Sequence, residues 1–202
     1  MNVRIPPAPL KELGPLAQVA AWVIGRATVG EPLHVFTTLG RHRRLFRSWL
    51  PFAGTMLLGT RLPRADVELV VLRTACNCCA RYEWAQHAPL ARKAGLSAAV
   101  INAVPAWQQR EALTARQRLL LTATDELHLH KVVTGATWAE LTATFDEREV
   151  IELCMLVGHY EMLAMTLNSL GVQPEPSAEA ALDESTRQTA DGLQAALDSL
   201  AS

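Results

Sequence analysis

Residues that can do chemistry are concentrated in one stretch, residues 63–95 of this 202-residue chain. Three of the four cysteines lie there, in an otherwise apolar run that is expected to be largely buried. A carboxylate inside such a run needs a partner or a function, because charged side chains are rarely buried alone. The chemically capable residues of the stretch are Glu68, Cys76, Cys78, Cys79, Tyr82, Glu83, Trp84 and His87.

Glu83 and His87 are four residues apart, which places them one turn apart on the same face of a helix. A carboxylate in that position orients an imidazole and favours its charged form. The pair therefore predicts proton transfer as the chemistry of this face.

Glu68 can join that pair only if the helix breaks between them. An unbroken helix would hold Glu68 and His87 about 100° apart around the axis and roughly 28 Å apart along it. The sequence Cys-Asn-Cys-Cys at residues 76–79 makes a break plausible, because it combines a small polar residue with consecutive short side chains. We therefore expect a turn there, with Glu68 on the first helix facing His87 on the second.

The elements that position these residues are predicted to be helices. Strand patterns of period two are almost absent, and helix-capping residues recur along the chain. Thr114 and Gln117 form a capping-box pattern before one helix; Asp146 and Glu149 form another before the last large helix, which Gly171 closes. The fold class is therefore all-α.

Changes in composition divide the chain into three parts. Residues 1–29 are rich in proline at the start and predict an extended arm followed by a short helix. Residues 30–173 form the helical domain. Residues 174–202 are acidic and alanine-rich, with few large apolar side chains, which predicts a tail that is partly disordered or weakly helical.

Charge and hydropathy exclude several classes of protein. A formal net charge of −1 and a pI of about 6.6 give no reason to expect a nucleic-acid partner. Glu152, His159 and Glu161 interrupt the longest apolar run, so no membrane span is predicted, and the N-terminus lacks the apolar core of a signal peptide. We expect a cytoplasmic protein whose cysteines are mostly reduced.

The chain resembles the carboxymuconolactone decarboxylase family, which includes the alkylhydroperoxidase D-like proteins. Four segments carry the resemblance: HVFTTLGRHRRLFRSWLPFAGTMLLGTRLP, ELVVLRTACNCCARYEWAQHAPLARKAGL, LTARQRLLLTATDELH and GHYEMLAMTLNSLGV. The resemblance implies an alkylhydroperoxidase D-like helical bundle with its active site near subunit contacts. It also implies a homo-oligomer, a trimer or hexamer, with a dimer as the alternative.

In peroxidase-type members of the family, a glutamate and a histidine relay protons to a Cys-x-x-Cys whose second cysteine lies four residues before the histidine. Glu68 and His87 fall on the relay positions, but the two cysteine positions fall on Ala80 and Glu83. A different Cys-x-x-Cys, Cys76 and Cys79, lies one helical turn earlier. It would be a displaced redox site if a helix N-terminus lowered its thiol pKa, and otherwise these cysteines are core-filling residues.

Decarboxylase-type members lack the cysteine pair and use a histidine and carboxylates as acid and base, without a metal or an organic cofactor. The resemblance then implies a small organic acid or lactone as substrate. His87 would donate the proton, and Glu83 would orient the His87 imidazole. Glu68 or Tyr82 would complete the relay; Tyr82 falls where some members have a further relay histidine.

Simpler interpretations remain open for several of these residues. Glu68 would otherwise cap a helix or pair with Arg73, and Tyr82 would pack its ring in the core. His128 and His130 are two residues apart and point to different sides of a helix, so no metal site is predicted. A third hypothesis is a non-catalytic oligomeric binding protein that has kept the helical core.

Overall fold

The computed structural model describes residues 2–28 and 30–201, and over those residues every regular element is a helix. The all-α prediction is confirmed. Two short 3-10 helices span Leu10–Glu12 and Val104–Gln109. The α-helices are α1 (Pro15–Thr28), α2 (His34–Leu39), α3 (Arg43–Leu58), α4 (Arg64–Asn77), α5 (Arg81–Lys93), α6 (Ala98–Ala103), α7 (Ala115–His130), α8 (Gly135–Thr144), α9 (Glu147–Leu170), α10 (Pro176–Ala180) and α11 (Glu184–Leu200).

Helix α4 is the centre of the core and packs against α5, α7 and α9. Its apolar run, from Val67 to Leu72 apart from Glu68, is completely buried. Burial on nearly all faces explains why this helix lacks the one-sided apolar stripe of a surface helix. It also means that each acidic side chain on α4 must have a partner, and Asp66 does ion-pair with Arg116, at 2.8 Å.

The predicted break between the two site helices is present. Helix α4 ends at Asn77, and Cys79 adopts a left-handed conformation with φ of 50°. The Ala80 N–H then bonds the Ala75 carbonyl at 2.8 Å, and α5 begins at Arg81. A left-handed residue other than glycine costs about 1 kcal/mol, which the buried contacts of Ala80 and α5 offset.

The predicted helix ends are confirmed at α7 and α9. Both capping boxes form: Thr114 with Gln117, and Asp146 with Glu149. Gly171 ends α9 with φ of 69°. A side chain at Gly171 would also meet the Asn2 carbonyl oxygen at 2.4 Å, so glycine is needed both for the turn and for the N-terminal arm that crosses it.

The C-terminal segment corrects the sequence prediction of a partly disordered or weakly helical tail at residues 174–202. It contains α10 and α11, and α11 packs against α5 and α6. Its buried side chains are mostly small, including Ala178, Thr186 and Ala190, and small residues let helices approach closely without large apolar groups. The Trp84 indole N–H donates to the Thr186 carbonyl at 2.8 Å, which ties α11 to the site helix.

Helix α9 is long enough and apolar enough to cross a membrane, judged by length and composition alone. The charged residues in its sequence predicted no membrane span. Half of that apolar stretch is buried inside the protein. Helix α9 packs against α3, α4, α5, α7 and α8, so its apolar character is that of a core helix.

Candidate active site

Glu68 and His87 meet as the predicted turn requires. Helix α5 folds back against α4, and the His87 Nδ1 lies 2.7 Å from the Glu68 Oε2. The Glu68 side chain is completely buried and also forms an ion pair with Arg64, one turn earlier on α4. The Glu68 carboxylate thus faces two basic groups, Arg64 and His87. These partners account for a charged group at the centre of the core.

Glu83 lies on the other side of the same imidazole. Its Oε2 is 3.5 Å from the His87 Nε2, so each ring nitrogen faces one carboxylate. The Glu83 Oε1 is buried and has no hydrogen-bond partner among residues 2–28 and 30–201. We refer to Glu68, His87 and Glu83 together as the relay.

Burial and charge set the protonation of the relay. Burial raises the pKa of Glu83 to about 7; the His87 charge opposes this shift and the Glu68 charge adds to it. Burial lowers the pKa of His87, but the attraction and hydrogen bond of Glu68 outweigh it, so the net shift is upward. The relay therefore combines an imidazole whose charged form is favoured with a carboxyl group that can both give and take a proton near neutral pH.

Two aromatic residues of α9, His159 and Tyr160, complete the surroundings of His87. The Tyr160 ring meets the His87 ring edge to face at 5.1 Å, and it contacts the His159 ring at the same distance. Burial, together with the His87 charge, lowers the pKa of His159 to about 4, so His159 is neutral at pH 7.

Sequence reasoning missed Arg64 and Tyr160. A signal for Arg64 was present, because it precedes Glu68 by four residues and such pairs face each other on a helix. Tyr160 lies on a helix distant in sequence, and no local spacing connects it to His87.

The structure corrects the role expected of Tyr82. Its hydroxyl donates to the Glu175 Oε1 at 2.9 Å and accepts from the Val35 N–H at 3.2 Å, instead of bonding a relay residue. The reason is helical geometry: Tyr82 precedes His87 by five residues, about 140° around α5, whereas Glu83 precedes it by four. Tyr82 therefore joins Glu175, the buried N-cap residue of α10, in a separate cluster.

The expected conditions for a displaced redox site at Cys76 and Cys79 are absent. Cys76 lies in the last turn of α4, not at a helix N-terminus, and burial raises its thiol pKa to about 12. Cys79 lies in the turn, and neither cysteine is in a disulfide. A thiol held in its protonated form is a poor nucleophile, so the geometry does not favour this pair as a reactive site.

Arg73, the other expected partner of Glu68, pairs elsewhere. Its guanidinium makes two hydrogen bonds to Asp125 of α7, at 2.6 and 2.9 Å. Asp125 also accepts from Trp107 and Asn77. This cluster fixes α7 and the 3-10 helix at Val104–Gln109 to α4 and lies outside the relay.

A cavity of about 560 Å³ lies between α2, α3 and α9. Its walls are mainly apolar, and two of its residues contact His159: the Trp49 ring stacks on it at 6.2 Å and the Phe52 ring meets it at 5.1 Å. His159 and Tyr160 therefore connect the cavity wall to His87. The cavity is lined by Ile5, Thr38, Leu39, Arg41, His42, Leu45, Phe46, Ser48, Trp49, Phe52, Met162, Leu163, Thr166 and Leu170.

Residues 43–126, from α3 through most of α7, match the model of the carboxymuconolactone decarboxylase family, and this match includes all three relay residues. The resemblance to that family is confirmed over this segment. No curated protein matches the sequence.

Solved structures share the fold. One is the alkylhydroperoxidase AhpD core of an uncharacterized peroxidase-related protein from Ralstonia eutropha JMP134, with 17% identity and a TM-score of 0.78 over 88% of this chain and 95% of that one. A peroxidase-related protein from Silicibacter sp. TM1040 has 14% identity and a TM-score of 0.76 over the same shares. A variant of the debrominase Bmp8 in complex with 2,3,4-tribromopyrrole has 15% identity and a TM-score of 0.77, over 92% and 98%. The alkylhydroperoxidase D-like fold is thereby confirmed.

The raised pKa of Glu83 predicts a pH-dependent stability. A carboxyl group whose pKa is higher in the folded protein stabilises the fold below its ordinary pKa of 4.5, and that stabilisation is lost as the pH rises through about 7. The side chain of Glu83→Gln is neutral at every pH. From about pH 5.5 to about pH 9 the free energy of unfolding should therefore fall by about 2 kcal/mol more in wild type than in Glu83→Gln. Urea unfolding at both pH values measures this difference.

Glu179→Gln is the matched control, because Glu179 lies on the surface and pairs with Arg81. It should follow the wild-type pH dependence. Identical pH dependence in the Glu83→Gln and wild-type proteins would show that Glu83 titrates normally.

Proposed function

We propose that the protein is an acid/base enzyme that acts on a small organic acid or lactone without using a thiol. One observation carries the proposal: a buried carboxyl group, Glu83, lies 3.5 Å from His87, and burial raises its pKa to about 7. Such a group suits proton transfer to carbon at neutral pH, because its pKa matches the working pH. By the family resemblance, Glu83 falls where peroxidase-type members have a reactive cysteine.

The geometry suggests a division of roles that differs from the one expected from the sequence. Both ring nitrogens of His87 already face carboxylates, whereas the Glu83 Oε1 is free to approach a substrate. In a decarboxylation, Glu83 would deliver its proton to the substrate carbon as the bond to the departing carboxylate breaks. The electron pair of that bond forms the new C–H bond, and His87, charged by Glu68, returns a proton to Glu83.

The apolar cavity fits the body of such a substrate. Its volume is within the range of small-molecule sites, and exposed Arg41 and His42 stand at its edge to meet a carboxylate. Thr38 and Trp49 of its lining each hold a buried polar atom without a hydrogen-bond partner in the described part of the chain. We infer that the substrate lies here and reaches the relay past His159, once Trp49 and Phe52 move aside.

Two alternatives have less support. A peroxidase that uses Cys76 and Cys79 would depend on a thiol whose pKa is raised to about 12. A non-catalytic binding protein has no need to bury two carboxylates around one imidazole, and the convergence of Glu68, Glu83 and His87 counts against it.

We also propose a homo-oligomer, as the family resemblance implies. Helix α9 leaves large apolar side chains exposed at intervals that keep them on one side of the helix, which is typical of a contact surface. These side chains are Ile151, Met155, Met162 and Met165. The number of subunits, the absence of a nucleic-acid or membrane partner and the cytoplasmic location stay predictions.

Two parallel assays test the proposed function. The first incubates the protein in D₂O with a panel of carboxylated lactones and β-keto acids and follows carbon dioxide release and deuterium incorporation. The second measures turnover of an organic hydroperoxide with a dithiol reductant. Each assay compares wild type, Glu83→Gln and the Cys76→Ser/Cys79→Ser double variant.

We expect turnover in the first assay that falls at least about 100-fold in Glu83→Gln and persists in the double cysteine variant. Hydroperoxide turnover that disappears only in the cysteine variant would instead assign the activity to the thiols. Proton transfer that is equally fast in Glu83→Gln would contradict the role of Glu83.

A further inference from the structure

A second cluster of reactive side chains lies outside the relay. Cys78, His128 and Glu161 each offer an atom that can ligate a metal, and these atoms all lie within 4.8 Å of one another. They come from three elements: the turn after α4, the last turn of α7 and the middle of α9. The cluster brings together a sulfur, a nitrogen and an oxygen ligand from distant parts of the sequence.

The cluster is held in place by the surrounding structure. The His128 Nδ1 lies 2.6 Å from the Glu161 Oε1, which orients both side chains. The Asn168 side chain donates to the Cys78 carbonyl at 2.8 Å and fixes the turn that presents the thiol. Three ligand atoms are therefore close to the separations of a tetrahedral metal site before any ion binds.

The surroundings leave room for an ion to enter. All three side chains are only partly buried, with 29% of the His128 side chain and 17% of the Glu161 side chain exposed. The Lys131 ammonium, 3.7 Å from the Glu161 Oε2, is mostly exposed and can move away into solvent. None of the three ligands belongs to the relay or to the cavity lining described above.

We propose that Cys78, His128 and Glu161 bind a zinc ion, with a fourth position open to water. Thiolate, imidazole and carboxylate are the ligands that zinc prefers, and three protein ligands with one open position are typical of a zinc site that exchanges its fourth ligand. The sequence predicts no metal site because His128 and His130 point to different sides of a helix and no cysteine or acidic cluster lies at ligand spacing from them. The other two ligands lie far away along the chain.

Zinc binding at this site requires the loss of a proton. A cysteine ligates a metal as the thiolate, so the Cys78 thiol must be deprotonated. The ion must therefore displace the thiol proton, and it exchanges the hydrogen bond between His128 and Glu161 for metal bonds. Affinity should accordingly rise with pH.

The experiment uses the full chain, stripped with a chelator, with Co²⁺ as a spectroscopic probe and Zn²⁺ in calorimetry. We expect one Zn²⁺ per chain and a thiolate-to-cobalt charge-transfer band. Cys78→Ser should abolish the band and weaken zinc binding at least about tenfold, and His128→Gln should also weaken it.

Cys154→Ser is the matched control, because Cys154 is a half-buried free cysteine of α9 outside the cluster. It should retain both the band and the affinity, and circular dichroism would check that each variant is folded. A band that survives in Cys78→Ser, a band that is lost in Cys154→Ser, or no zinc binding by the folded wild-type chain would each overturn the proposal.

Discussion

His87→Gln should lower turnover by about 10²- to 10⁴-fold and leave the helical fold intact, because general acid/base catalysis contributes factors of that size. The imidazole is the group that joins the two carboxylates of the relay: its Nδ1 lies 2.7 Å from Glu68 and its Nε2 lies 3.5 Å from Glu83. Glutamine can still donate a hydrogen bond to Glu68, but it does not take up and release a proton. The substrate identified in the D₂O assay would serve for the kinetic measurement, with circular dichroism to check the fold.

His130→Gln is a suitable control for this variant. His130 is an exposed histidine at the end of α7, outside both the relay and the cavity lining. Its replacement should leave turnover unchanged. A His87→Gln protein with wild-type turnover would show that the relay does not carry the reaction.

Glu175→Ala should destabilise the protein by about 3–5 kcal/mol. The Glu175 carboxylate is completely buried and accepts hydrogen bonds from the Tyr82 hydroxyl, the His34 N–H and the Gln86 amide. Its removal leaves two buried donors and one partly buried donor without an acceptor, and each unmet buried group costs about 1–3 kcal/mol. These three donors come from α2 and α5, so the loss loosens the contact of the C-terminal segment with both helices.

Urea unfolding of Glu175→Ala and Glu179→Ala tests this prediction. Glu179 belongs to the same segment, but 41% of its side chain is exposed and it forms a surface ion pair with Arg81. Surface pairs contribute about 0–1 kcal/mol, so Glu179→Ala should be close to wild type. Equal stability of the two variants would show that the buried carboxylate does not anchor the segment.

The helices of the core could be predicted because their signals are local. The capping boxes that begin α7 and α9 lie within four residues, and the apolar run of α4 is continuous except for Glu68. The C-terminal segment could not be predicted in the same way. Its stability comes from small buried side chains and from the contacts of Glu175, which depend on the position of α5 and leave no pattern in the segment itself.

The same distinction applies to the candidate site. Helical spacing links Glu83 to His87, and a turn at residues 76–79 brings Glu68 to them; the structure contains that turn. The expected role of Tyr82 came from the resemblance, because some family members have a further relay histidine at that position, but here its side chain faces another side of α5. Tyr160 approaches from a distant helix, and only the packing of α9 against α5 brings it to His87.

The contacts of the cysteines in the folded protein differ from those that their spacing in the sequence suggests. Cys76 and Cys79 have the spacing of a redox pair, yet Cys76 is half-buried at the end of α4 and Cys79 lies in the turn. Cys78, between them, meets His128 and Glu161 instead. The spacing of the three cysteines gave no indication of this contact.

A direct titration of Glu83 tests the central claim, because it needs no substrate. Difference infrared spectroscopy between the wild-type and Glu83→Gln proteins would follow the carboxyl stretch of Glu83 from about pH 4 to about pH 9. The structure predicts a midpoint near pH 7, with the protonated carboxyl band still present under mildly acidic conditions. A midpoint near 4.5, the ordinary value for a glutamate, would contradict the assignment of Glu83 as the group that exchanges a proton with the substrate.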